Sequence, residues 1–353
     1  MYSEIGSEFW LEKLQNTSNN KLPNWLSRFG ETALTSSGRG AITLLLRQII
    51  PKYKTVLLPS YICESVLLPF IEEGFNCYFY EINQDLSPNI DSVMSFKNIG
   101  VFLHMGYFGF QTNSNLLDVL KHFKKESTIV VEDITHTLFS TFSRFKDNDF
   151  YVGSIRKWFG LPSGGVLASS RRIINGPILR NYKFSKIRTD ALFNKGKYIK
   201  LEDSSLKNKF LNQFFEAETL IDNDVGAYCI DSFSESLITL LDVDELLKKR
   251  KENFNKLSKE LINVDYLEHL FFDLNEQVCP MFYPILINNR DQVRNQLAKE
   301  KVYCPVHWPI PNQLLKRDFS SALDIYDTIL SIPCDQRYGM TEMNKIISIL
   351  KSM

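Results

Sequence analysis

From residue 36 to about residue 170, short apolar runs alternate with stretches whose apolar residues recur every three or four positions. The runs Thr55–Leu58, Cys77–Ile82, Val101–Met105, Thr128–Asp133, Tyr151–Ile155 and Gly165–Ser169 read as strands. Ala41–Ile50, Cys63–Glu73 and Ser114–Phe123 read as the helices between them. Strands that are apolar throughout are buried on both faces. Their alternation with helices predicts an α/β fold on a mostly parallel sheet. Ligands of such sheets bind beyond the carboxyl ends of the strands, which says where to look for chemistry.

The pattern then changes. Arg188–Asp224 is polar, rich in Lys and Asn and poorly periodic, and reads as a loop-rich excursion on the large domain. Asp231–Leu261 reads as one long helix or two in succession, with Leu237, Leu240, Leu241 and Leu246 on one stripe and Lys248–Lys251 solvated. Met281–Ile287 (strand), Arg290–Glu300 (helix), Val302–Val306 (strand) and Thr341–Lys351 (helix) make a smaller α+β unit. The expected organisation is a large domain over residues 1–235 and a small C-terminal domain over residues 236–353. Two unequal domains suit a chain of 353 residues.

Composition narrows the class. Hydrophobic residues make up 44% and charged residues 23%, with 26 Phe and 15 Tyr, ample for a large core. Lys plus Arg and Asp plus Glu both total 41, and this balance argues against nucleic acid or an anionic membrane as the main partner. The six cysteines, at 63, 77, 229, 279, 304 and 334, form no CxxC pair, and the five His do not cluster with them. No zinc site or disulfide framework is expected, and a reducing cytoplasm fits. The opening MYSEIGSEFWLEKL is acidic and interrupted, unlike a signal peptide. No apolar run approaches the roughly 20 residues that cross a bilayer.

Three segments carry candidate chemistry. Ser36-Ser37-Gly38-Arg39-Gly40-Ala41 leads into an apolar helix. Small residues let the backbone approach a ligand, free N–H groups at a helix start favour an anion, and Arg39 adds a fork for phosphate. The plainer reading is a cap on a core helix. Val130-Val131-Glu132-Asp133-Ile134-Thr135-His136 ends an apolar strand in a carboxylate. Pyridoxal 5'-phosphate (PLP) needs an anion beside its ring nitrogen, and Asp133 suits that role, with His136 supporting the ring hydroxyl or orienting Asp133. The alternative is a helix cap for Asp133 and a packed imidazole for His136. In Gly153–Gly165, Lys157 lies in a glycine-bounded turn between two strands, beside Trp158 and Phe159 and three residues after Ser154. A lysine amine becomes a useful nucleophile once partly desolvated, which the two aromatics would promote. Arg156-Lys157 as a plain basic surface pair is the alternative.

The order of these segments resembles the DegT/StrS family of PLP-dependent aminotransferases from about Thr35 onward. Ser37-Gly38-Arg39-Gly40-Ala41 stands at the family's Ser-Gly-Thr phosphate turn, and Leu58-Pro59-Ser60-Tyr61 with Gly74–Ile82 at its proline–aromatic block. Glu132-Asp133-Ile134-Thr135-His136 stands at its Glu-Asp-Ala-Ala-Gln segment, and Ser154–Gly165 at its serine–lysine–glycine segment. Asn289-Arg290-Asp291, Cys304–Pro309 and Leu330-Ser331-Ile332-Pro333 match C-terminal motifs. The departures are the short Ser154-to-Lys157 spacing, Cys63 where an aromatic usually stacks on the ring, and Asp231-Ser232-Phe233-Ser234 where the family has a segment that reaches a neighbouring subunit.

The resemblance implies a fold type I transferase with a large PLP-binding domain and a smaller C-terminal α+β domain. Lys157 would hold the cofactor as a Schiff base and Asp133 would charge its ring. Ser37, Gly38, Arg39, Gly40 and Ser154 would bind its phosphate, and Tyr61, Cys63 and His136 would surround the ring. His307, Trp308 and Arg337 would meet substrate, although a packed strand end for the first two and an ion pair with Asp335 for Arg337 remain open. The reaction implied is transfer of an amino group from an amino acid such as glutamate to a keto compound, with a nucleotide-linked keto-sugar as the suggested acceptor. A homodimer is the implied assembly. Elimination or dehydration on the same scaffold, and a non-enzymatic structural role, are the rival readings.

Overall fold

The apolar runs form the strands their pattern predicts. In a computed structural model describing residues 4–11, 23–315 and 319–353, a two-residue strand β1 (Ile5–Gly6) precedes the seven that build the main sheet. These are β2 (Glu31–Thr35), β3 (Thr55–Pro59), β4 (Asn76–Tyr80), β5 (Val101–Met105), β6 (Ile129–Asp133), β7 (Phe150–Ser154) and β8 (Gly165–Ser169). Their order is β2-β8-β7-β6-β5-β3-β4. Pairings from β4 through β7 are parallel, and the two that add β8 and β2 are antiparallel. Every residue of β5, β6, β7 and β8 is buried, as their uninterrupted apolar character requires. The α/β fold on a mostly parallel sheet is therefore the one expected. The edge strand β2 had escaped the reading, because its sequence Glu-Thr-Ala-Leu-Thr buries only alternate positions.

The sheet places the chemistry. Strands β6 and β7 run parallel with Asp133 opposite Val152, so Asp133 and Ser154, their last residues, emerge at the same carboxyl edge. Successive side chains of a strand point to opposite faces. Glu132 is neutralised on one face by Arg144 Nη1 at 2.5 Å and by Asn148 at 2.6 Å. Asp133, on the other, pairs with no cation among the described residues. Tertiary pairing thus separates two adjacent acids into one that is ion-paired and one that is not, among the described residues.

Two expectations are corrected. Arg188–Asp224 is no loop-rich excursion: it falls within the helices Tyr182–Leu201 and Ser204–Asn223, which pack as a hairpin. The buried face of the first carries Arg188, Asn194 and Lys195 beside Phe184 and Leu192, so its stripe is masked by charged residues that are paired only in three dimensions, whereas the second buries an apolar stripe of Phe210, Phe214, Ala217 and Ile221. Within the Lys248–Lys251 run expected in solvent, Arg250 is buried. Asp231–Leu261 resolves into two helices, Ser232–Ile238 and Val243–Leu261, each capped by an aspartate (Asp231 and Asp242) that accepts from the third residue on. Arg250 lies on the inner face of the second, with Leu246, Asn253, Phe254 and Leu257.

The C-terminal unit holds a three-stranded antiparallel sheet of β9 (Glu268–His269), β10 (Tyr283–Leu286) and β12 (Ile329–Ile332), with helices Arg290–Lys299 and Met340–Lys351. The strand expected over Val302–Val306 shortens to β11 (Val302–Tyr303), which pairs in parallel with β1 and so ties the N-terminal segment to this unit. No helix among the described residues is long and apolar enough to cross a membrane.

Candidate functional site

Lys157 sits in a single 3-10 turn, Ile155–Lys157, directly after β7. The turn is held from all sides. The Ile155 amide donates to Gly164 O at 2.9 Å, and the Trp158 amide to Ile155 O at 3.1 Å. The Trp158 indole N–H donates to Thr135 O at 2.7 Å, which joins the lysine turn to the chain just after Asp133. Trp158 O in turn accepts from Gln336 at 2.7 Å and from Arg250 at 3.3 Å, and the Arg250 guanidinium lies 4.6 Å from the centre of the indole. Trp158 is wholly buried and fixes the turn rather than shielding the amine, while Lys157 stays exposed. Arg250, Gln336 and Thr135 were not singled out from the sequence. For Arg250 a signal existed, since it falls on the apolar stripe of its helix.

Asp133, Lys157, His136, Ser154, Gly38 and Arg39 line one cavity, which Cys63, His307 and Trp308 help to close. Burial pushes the Asp133 carboxyl up to about 6, against the pull of the Thr135 hydroxyl and amide, the amide donating to Oδ1 at 2.8 Å. A cationic N–H beside it would reverse that cost. His136 Nδ1 accepts from the Phe108 amide at 3.2 Å, so Nε2 carries the ring proton as a donor. Burial, with Lys157 nearby, pushes His136 down to about 3 and keeps it neutral. His307 is likewise held well below its ordinary value by burial, then by His136 and Lys157, and its Nδ1 lies 2.7 Å from Ser331 Oγ.

The small-residue turn reaches the same cavity. Ser37 Oγ accepts from the Gly40 amide at 3.1 Å, capping the Gly38–Leu46 helix, and neither Ser37 nor Gly40 lines the cavity. Gly38 abuts Ser154: a Cβ added there would stand 3.2 Å from the serine Cβ. Gly165 must be glycine, because its Cβ would fall 2.1 Å from Ser37 O. That close passage brings the turn, β8 and Ser154 together. Arg39 lines the cavity but is bound to Asp222 at 2.5 Å.

Tyr61 is not at the cavity. It is buried behind Trp308, at a centroid distance of 5.1 Å, with its hydroxyl on His307 O, whereas Cys63 lines the cavity wall. Arg156 is no surface pair, since it is buried and takes both oxygens of Glu218 at 2.6 and 3.1 Å. A second cavity, between the N-terminal segment and the C-terminal unit, shares Arg156, Lys157, Met281 and His307 with the first. Arg337 lines it but is clasped by Asp335, with two contacts of 2.8 Å, and by the Ser7 and Glu8 carbonyls. Its ion pair is the structural one weighed from the sequence. A wider groove of about 1080 Å³ on the C-terminal unit has no lysine in its lining.

Cavity, buried carboxylate and lysine turn fit PLP: an unpaired anion awaits a ring cation, and an exposed amine lies within the same enclosure. Residues 236–351 match the model of the DegT/DnrJ/EryC1/StrS aminotransferase family. No curated protein matches the sequence. Among solved structures, PseC from Helicobacter pylori, an aminotransferase involved in the biosynthesis of pseudoaminic acid, aligns over 93% of this chain and 88% of its own, with TM-score 0.67 and 17% identity. The PLP form of Spr1654 from Streptococcus pneumoniae aligns over 99% and 98%, with TM-score 0.67 and 15% identity. The sugar aminotransferase CalS13 from Micromonospora echinospora aligns over 92% and 89%, with TM-score 0.64 and 15% identity. Residues 236–351 are thus similar in sequence to the DegT/DnrJ/EryC1/StrS aminotransferase family, and along most of its length the chain shares the fold of these solved structures.

Proposed function

We propose that the protein is a PLP-dependent aminotransferase that moves an amino group from an amino acid such as glutamate to a keto compound, with a nucleotide-linked keto-sugar for surface polysaccharide as the acceptor. The observation that carries this is the single cavity lined by an exposed lysine and a buried, cation-free carboxylate. PLP bound there would supply an aldehyde carbon and an electron-withdrawing ring. Lys157 would be the amine that holds the group, and its Nζ would serve as the proton carrier at the reacting carbon. Asp133 would face the ring nitrogen and favour its protonated form. The Nε2–H of His136 would be the donor available to the ring hydroxyl, in place of the amide that a glutamine would offer. Gly38 and Ser154 would receive the phosphate, and Cys63 would offer a ring face less contact than an aromatic.

Substrate approaches Lys157 through the second cavity, past His307, and meets Trp308 in the wall of the first. Arg337, committed to Asp335, shapes this entrance more than it binds a carboxylate. Sugar aminotransferases among the structural neighbours support the acceptor class. Glutamate added to the PLP-loaded protein should discharge the absorbance of the bound cofactor and release one 2-oxoglutarate per site. An eliminating enzyme would leave the absorbance unchanged, and a structural member would take up no PLP at all.

The working form is a homodimer in the cytoplasm. Ile173, Ile178 and Leu179 are exposed before the Tyr182–Leu201 helix, Tyr182 is exposed at its first position, and Phe215 projects from the helix packed against it. The Lys183–Glu216 pair, at 3.9 Å, brings Tyr182 and Phe215 onto neighbouring turns. An apolar surface of this kind is expected where a second copy packs. Sedimentation at micromolar concentration should give twice the chain mass, and Phe215→Glu should halve it. A monomeric wild type would refute this assembly.

A further inference from the structure

Glu218 lies at the end of the cavity where a phosphate would seek cations. Its carboxylate takes both terminal nitrogens of Arg156, at 2.6 and 3.1 Å, and Nη1 of Arg188 at 2.7 Å, and it lies 3.6 Å from Arg39. Asp222, one helical turn on, takes Arg39 at 2.5 Å, and Glu8 takes Arg188 at 3.3 Å. Three guanidinium groups therefore face three carboxylates. Yet the Nε–H donors of Arg39, Arg156 and Arg188 are all buried and have no acceptor among the described residues. Each guanidinium offers five N–H donors, and a buried donor left unmet is costly. The carboxylates balance the charge of the cluster without filling its donors. Gly38, Arg39, Ser154, Arg156 and Glu218 line the same cavity.

We propose that Glu218 is an internal counter-ion that stands in for a phosphate, so that a phosphoryl ligand entering beside Gly38 and Ser154 must compete with it for Arg39 and Arg156. This rests on the cofactor reading and deepens it. Burial alone would raise the Glu218 carboxyl, but Arg156 and Arg188 outweigh that and hold it well below its ordinary value. Glu218 therefore stays charged, and proton uptake does not relieve the competition. The consequence is selectivity. Every phosphate is weakened alike, so only one that is also held at Lys157 and Asp133 binds well. Free phosphate is kept out of a basic pocket that would otherwise attract it.

The test uses the full-length, cofactor-free protein with inorganic phosphate as the probe, followed by calorimetry. Glu218→Gln should bind phosphate about tenfold or more tighter than wild type, as expected when a like charge leaves the vicinity of an anion. Asp222→Asn should shift affinity the same way by less, because that carboxylate is 47% exposed. If Glu218→Gln does not fold, Asp222→Asn decides alone. Unchanged or weaker phosphate binding in the folded variants would overturn the proposal and reduce Glu218 to a prop for the arginines. Covalent PLP attachment is read separately in the same samples. Tighter phosphate binding without attachment would sink the cofactor reading alone, and attachment without tighter phosphate binding would sink this one alone.

Discussion

Lys157→Ala is expected to abolish covalent loading by PLP and to slow the glutamate half-reaction by about 10²–10⁴-fold, the usual loss when a positioned proton carrier is removed. Borohydride reduction followed by peptide mass spectrometry reads the attachment site directly. The informative competitor is Lys195, which burial, with Arg337 nearby, lowers to about 7. On basicity alone it would be the better nucleophile at neutral pH. It is nonetheless wholly buried, close to Glu4 and donating to the Glu8 carbonyl, and it lines neither of the cavities that Lys157 lines. Access to the cavity is what would favour Lys157. Label found on Lys195, or label persisting in the Lys157→Ala protein, would contradict the assignment.

Asp133→Asn should weaken catalysis while strengthening the empty protein. The carboxyl is raised by burial from an ordinary value of 3.8 to about 6, so the folded state holds this proton more tightly than the unfolded one. Its contribution to stability is present below about pH 4 and is lost as the pH rises through about 6. At pH 8 the ionised form costs on the order of 3 kcal/mol. Asparagine keeps an oxygen for the Thr135 amide and removes the charge. The cofactor-free variant should then melt about 2–6 °C higher at pH 8, with the gain shrinking toward pH 4. Loading with PLP should raise the melting temperature of wild type more than that of the variant, because only the carboxylate can pair with a ring cation. The half-reaction should fall about 10²-fold or more, as when a charge-stabilising group is removed. An empty Asp133→Asn protein that melts lower than wild type at pH 8 would show that burial is not what strains this carboxylate.

Parts of this site were legible in the chain and others were hidden for a definite reason. The strands β3 and β5 to β8 announced themselves because strands buried on both faces are largely apolar, while the edge strand β4 is buried only at Phe79 and Tyr80. Asp133, Ser154 and Lys157 could be picked out because each interrupts or directly follows such a run. The Tyr182–Leu201 helix was missed because Arg188 and Lys195 lie on its buried face, and a charged residue reads as solvent-facing until its partner is known, whereas the stripe Phe210, Phe214, Ala217 and Ile221 of the next helix was legible and passed over. Glu218 pairs with Arg156 across 62 positions, and Arg250 with Trp158 across 92, spacings that leave no local trace. Tyr61 and Cys63 are two residues apart, and the sequence did not say which would face the cavity.

By itself, the order of apolar and polar residues determined the parallel sheet, the edge at which Asp133 and Ser154 emerge and the lysine turn that follows it. Those features depend on local periodicity and on which side chains water will not tolerate outside. Only the tertiary structure decided which of two adjacent acids stays unpaired, which arginines are buried and what Glu218 holds. Such charges are set by partners brought together by folding, and burial makes each of those pairings matter.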